Sequence, residues 1–78
     1  MNKFSERDQE ILTSMSFSWV EKDQEWYRDI RRRPDRVYYE EYSKTFVLVT
    51  QFWNDEDGLY EDNYEHFTSI VELRNYFV

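Results

Sequence analysis

From Thr45 to Trp53 the chain reads TFVLVTQFW, and its side chains sort with a period of two. On an extended strand, Phe46, Leu48 and Phe52 point one way and Val47, Val49 and Trp53 the other. Apolar residues on both sides predict a central strand covered on both faces. The same period continues around it. Val37, Tyr38, Tyr39 and Tyr42 predict a strand over about 36–42, and Leu59–Phe67 predicts another over about 59–67. In this last segment Tyr60, Tyr64 and His66 share one face, and Glu61, Asn63 and Glu65 share the other. The run NDEDG at Asn54–Gly58 is turn chemistry between strands at about 45–53 and 59–67.

Helical spacing governs the rest. Ser5 with Asp8 makes an imperfect capping box, and Phe4, Ile11, Leu12 and Met15 follow on one face, so a helix is predicted over about 5–15. Ser18 with Glu21 is a second box. Trp19, Trp26 and Ile30 come after it at helical spacing, with Tyr27 beside them. Glu21 and Asp23 would sit in the first turn and Arg31, Arg32 and Arg33 in the last, each sign where the helix dipole favours it. Pro34 would end that helix, predicted over about 19–33. A strand pair over 16–32 is the rival reading, because Phe17, Trp19, Trp26 and Tyr27 also favour strands. Ser69 with Glu72 is a third box, and Ile70, Val71, Leu73, Tyr76 and Phe77 predict a short helix over about 70–77. The expected fold is a single α+β domain over 1–78: a three-stranded antiparallel sheet carrying N-terminal helices and a short C-terminal one.

Composition explains how so short a chain builds a core. It has 78 residues, with 3 Trp, 7 Tyr and 6 Phe, and no alanine. Large aromatics compensate for few aliphatics, and Tyr38, Tyr39, Tyr42, Tyr60 and Tyr64 are expected near the surface, where interfaces favour tyrosine. A single glycine and a single proline exclude collagen-like and linker sequences, and the absence of cysteine excludes disulfides and thiolate metal sites. No apolar run approaches the roughly 18 residues of a membrane helix, and the N-terminal residues do not resemble a secretory signal. A soluble cytoplasmic protein without membrane contact is expected.

Charge divides the chain. The formal net charge is −7. Residues 1–36 balance eight basic against eight acidic groups, whereas residues 37–78 set Lys44 and Arg74 against nine acids, so the whole excess lies in the second half. Asp55, Glu56 and Asp57 fall in the turn, and Glu61, Asp62 and Glu65 in the strand leaving it. Alternate residues of a strand lie about 6.6 Å apart, so these carboxylates form a row of negative charge resembling the phosphates of a nucleic-acid strand. Trp53, Tyr60 and Tyr64 interleave as apolar anchors. Such a row is also an ordinary way to keep an edge strand soluble. Asp55, Asp57 and Gly58 match positions three, five and six of an EF-hand loop, but Trp53 and Tyr64 would then occupy its first and last ligand positions and cannot serve. A different calcium loop would use Asp55, Asp57 and Glu61.

Arg28, Arg31, Arg32, Arg33 and Arg36, with Trp26 and Tyr27, form the other constellation. Arginine forks and aromatic rings suit single-stranded nucleic acid; the same arginines can instead pair with the chain's own acids. His66 is the lone histidine. Neither a nucleophile motif nor a glycine-rich phosphate loop is present, so no catalytic role and no cofactor are expected. The expected function is a non-catalytic acidic inhibitor that binds a basic nucleic-acid-binding protein by mimicking DNA charge, as suits a virus or mobile element acting on a host or defence factor. Direct nucleic-acid binding through the arginine cluster, and self-association into a homo-oligomer, are the alternatives.

Overall fold

The computed structural model describes residues 3–30 and 32–77. In chain order its elements are α1 (Glu6–Ser14), β1 (Ser18–Val20), β2 (Glu25–Asp29), β3 (Pro34–Glu40), β4 (Thr45–Asn54), β5 (Leu59–Phe67) and α2 (Ile70–Tyr76). The strands form one antiparallel sheet in the order β1-β2-β3-β4-β5. The α+β class, the two terminal helices and the three C-terminal strands follow the sequence pattern, but the sheet has five strands where three were expected.

The two extra strands replace the helix expected over 19–33. Trp19 and Trp26 are seven residues apart, which on a helix is two turns. It is also the separation that a four-residue loop sets directly opposite each other in a hairpin. The chain takes the second option: Trp19 pairs with Trp26, and their rings meet edge to face at 5.7 Å. The hairpin brings both indoles beside Phe4, whereas two turns of helix would separate them by about 10 Å. Ser18 therefore starts β1 instead of capping a helix, and the Glu21 carboxylate accepts the Trp19 indole N–H at 2.5 Å. Ile30, expected on the buried helical face, is exposed. Tyr42, expected in a strand, lies in the β3–β4 loop with its side chain in solvent.

All four strand connections contain four residues. In three of them the last residue is left-handed: Gln24 (φ 54°), Lys44 (φ 57°) and Gly58 (φ 67°). That final reversal returns the chain into antiparallel register after a tight turn. Only Gly58 reaches it without a steric cost from Cβ.

Both helices pack on one face of the sheet. Trp26, Val37 and Leu48 stand side by side across β2, β3 and β4, with Phe46 alongside. Ile11 and Leu12 of α1 and Ile70 and Leu73 of α2 close over this row, together with Phe4 and Phe17. Leu12, Leu48, Ile70 and Leu73 are fully buried, which contributes about 1.5–3 kcal/mol each. The caps that start the helices are formed. Ser5 and Asp8 bond reciprocally at 3.1 Å, and the Ser69 hydroxyl accepts the Glu72 N–H.

β4 is an interior strand, paired with β3 on one side and β5 on the other as expected, but helices cover only one of its faces. On the face away from the helices, Val47 lies between Tyr38 and His66, and Val49 between Arg36 and Tyr64. Both valines are buried. Their cover comes from these long neighbours in the sheet itself, which is why an apolar residue on each side of β4 did not require a second layer.

Candidate interaction surface

β3 pairs with β4 only as far as Val49, whereas β4 and β5 remain paired to Asn54 and Leu59. Beyond Val49, among the described residues, the two strands pair only with each other, so they extend as a two-stranded arm. Residues 50–63 of this arm carry Asp55, Glu56, Asp57, Glu61 and Asp62 and no basic residue. Its apolar side chains stay in solvent: Phe52, Trp53, Leu59 and Tyr60 are 44–51% exposed. Ile30 and Tyr42 are at least as exposed elsewhere on the chain, so what sets the arm apart is that its apolar groups lie beside carboxylates.

Strand register divides the predicted acidic residues. Trp53, Tyr60, Asp62 and Tyr64 share the face away from the helices, and Trp53 meets Tyr60 edge to face at 5.1 Å. Glu61 and Glu65 lie on the opposite face, with Asn63 between them. Asp55, Glu56 and Asp57 cap the tip, all exposed. The carboxylates thus surround the arm and do not line one side of it, and only Asp62 lies among the predicted aromatic anchors. Phe52 and Leu59, on the face of Glu61, were not singled out from the sequence. Their position beside an acidic turn with no third strand next to them is what exposes them.

The tip is ordered by its own polar groups. Asn54 Oδ1 accepts the Glu56 and Asp57 N–H groups at 2.9 and 3.4 Å, and the Gly58 N–H donates to the Asn54 carbonyl at 2.8 Å. Among the described residues no group of three or more Asp, Glu or His side chains is arranged to hold a metal ion, so Asp55, Asp57 and Glu61 do not converge on one point.

Basic groups hold the base of the arm. The Arg33 guanidinium lies over the Tyr60 ring, 4.6 Å from its centre. Arg36 reaches Glu25 at 3.5 Å and Asp62 at 4.0 Å. Burial raises the Glu25 carboxyl above its ordinary range, against the pull of Arg36, and burial likewise raises the Tyr38 phenol. A cleft of about 510 Å³ opens between the arm and α2, lined by Arg33, Asp35, Thr50, Tyr76 and Phe77.

The second constellation is dispersed. Trp26 and Arg28 are buried, so neither is presented to a ligand. Arg28 pairs with Asp35, donates to the Met15 carbonyl at 2.7 Å and lies between the Phe17 and Phe77 rings. Tyr27 and Arg36 face away from the helices, Arg32 is exposed in the β2–β3 loop, and Arg31 lies outside the described residues. Among the described residues no helix is long and apolar enough to cross a membrane. No family model, no curated protein and no solved structure matches the chain.

Proposed function

We propose that this chain is a non-catalytic protein-binding inhibitor whose β4–β5 arm enters the basic groove of a nucleic-acid-binding protein. The observation that carries the reading is the arm itself: five carboxylates, no basic residue, and four apolar side chains held in solvent on a projection beyond the sheet. A groove of lysine and arginine gains its affinity for nucleic acid by neutralising phosphates, and a ring of carboxylates competes for the same cations. Trp53, Tyr60, Phe52 and Leu59 add contacts that phosphates lack and act as anchors once water is excluded. A strand ribbon fits a groove, and its carboxylates on both faces can meet both walls. Use of the arginine cluster for direct nucleic-acid binding is less favoured, because Trp26 and Arg28 are committed to the core.

The test is a pull-down of partners from lysate with the tagged full chain, with and without excess duplex DNA. A retained nucleic-acid-binding protein that DNA displaces supports the reading. The triple variant Asp57→Lys, Glu61→Lys, Glu65→Lys should lose that partner while keeping its circular dichroism spectrum and cooperative melting. Retention of the partner by this folded variant, or indifference to DNA, would overturn it. A milder variant, Asp55→Asn, Glu56→Gln, Asp57→Asn, removes only tip charge and guards against a folding artefact at half-buried Glu65.

A further inference from the structure

β5 ends the sheet, and along its nine residues no strand of the described residues pairs with its outer edge. The opposite edge, β1, has three residues and offers little. In an antiparallel ladder alternate residues of an edge strand turn their N–H and C=O groups outward, where another strand can bond to them. α2 packs on one face of the sheet, where Ile70 and Leu73 join the core and Tyr76 meets Phe67 edge to face at 5.6 Å. Leu59–Phe67 also lacks the proline and lysine that commonly block such edges; it carries Glu61, Asp62 and Glu65, and its one basic residue is His66.

Those charges select what can pair. Two copies joined antiparallel about Asn63 would set Glu61 of each against Glu65 of the other, and like charges directly opposite are destabilising. A basic strand meets the reverse situation. Its side chains on one face would lie beside Glu61 and Glu65. Those on the other would lie beside Asp62 between Tyr60 and Tyr64, where Arg36 already reaches the carboxylate and Arg33 covers the Tyr60 ring, so Glu61 and Glu65 offer an incoming cation more than this face does.

We infer that β5 accepts an additional strand, and that this strand is an extended Lys/Arg-rich segment of a partner protein. The inference rests on the preceding reading only in taking the partner to be basic. Main-chain hydrogen bonds hold the added strand, and alternate side chains read the two faces of β5.

The probe is a nine-residue peptide of alternating lysine and threonine, matched to β5 in length, mixed with the full chain. Calorimetry and amide hydrogen exchange are the readouts. Binding should slow exchange at alternate amides between Tyr60 and His66. Two N-methylated versions, one blocked at odd and one at even positions, should differ in affinity by roughly tenfold or more, because only one set of N–H groups faces β5. A peptide with glutamate in place of lysine should not bind. Equal binding of both N-methylated versions, or binding without added protection on β5, shows attraction by charge alone and overturns strand addition while the groove reading stands. No binding of the lysine peptide overturns it too. Dimerisation of the chain with the same amides protected would assign the edge to a second copy and overturn the basic segment. If strand addition holds but the lysate partner ignores DNA, the groove reading fails and this one survives.

Discussion

Arg28 and Asp35 stand opposite each other on β2 and β3, with Nε 2.8 Å from Oδ2 and both side chains almost wholly buried. Seven residues separate them in sequence, and the β2–β3 hairpin turns that separation into a contact within the core. The guanidinium also satisfies the Met15 carbonyl where α1 ends, and it stacks between Phe17 and Phe77. One side chain therefore joins the end of α1, the sheet and the end of α2.

Removing one partner leaves the other as a buried, uncompensated charge. Arg28→Ala or Asp35→Ala is expected to cost about 3–5 kcal/mol, measured by urea unfolding. The double change Arg28→Met, Asp35→Leu should recover much of that loss. If the double variant is no more stable than the singles, the pair contributes shape and hydrogen bonds that apolar residues cannot replace.

The left-handed loop residues make a prediction with opposite signs at equivalent positions. Lys44→Gly should raise stability by up to about 1 kcal/mol, because it removes the Cβ penalty at φ 57°. Gly58→Ala should lower it by about 1 kcal/mol although no atom lies within 4 Å of the added carbon. Thermal melting of both variants decides this. A neutral Gly58→Ala would mean that the loop relaxes to another turn.

Trp26 is buried among Phe4, Trp19 and Val37, and its indole N–H finds no acceptor among the described residues. Trp26→Phe removes that unsatisfied donor, worth about 1–3 kcal/mol, at the cost of some lost packing. The net destabilisation should stay below about 1.5 kcal/mol. Trp26→Ala should cost about 3–5 kcal/mol. Equal losses for the two variants would show that the N–H is hydrogen-bonded in solution.

Two carboxylates should give opposite pH responses. Hydrogen bonds from Ser43, side chain first and backbone next, hold Glu40 below the ordinary value of 4.5. Its contribution is complete above that value and is lost as pH falls through the lowered pKa. Burial raises Glu25 above 4.5, so its contribution is present below that value and is lost as pH rises through the raised pKa. Glu40→Gln should therefore flatten the loss of stability on acidification, and Glu25→Gln should steepen it. Urea midpoints of the three proteins across the acid range test both signs. The same slope in all three would exclude both.

Short-range rules were enough for the parts of this fold that depend on neighbours in sequence. The alternation in Thr45–Trp53 and Leu59–Phe67 set which side chains share a face, because strand pleating has a period of two whatever the partner. Ser5 with Asp8 and Ser69 with Glu72 marked the helix starts, because capping bonds close within four residues. The acidic tip at Asp55–Asp57 was legible for the same reason.

Tertiary structure decided what depends on partners distant in sequence. The seven-residue spacing of Trp19 and Trp26 fits a helix or a hairpin, and the choice fell to Phe4, which packs against both rings. The arginine cluster separated because Asp35 and Met15 draw Arg28 inward while Arg33 stacks on Tyr60. The arm exists because the β3–β4 pairing stops at Val49 while β4–β5 pairing runs on to Asn54 and Leu59, and no single segment encodes where its neighbour ends. Alternation and caps are written in the local chain. Which strand stands beside which, and so which residues are buried or left on an edge, is settled only when distant segments compete for one core.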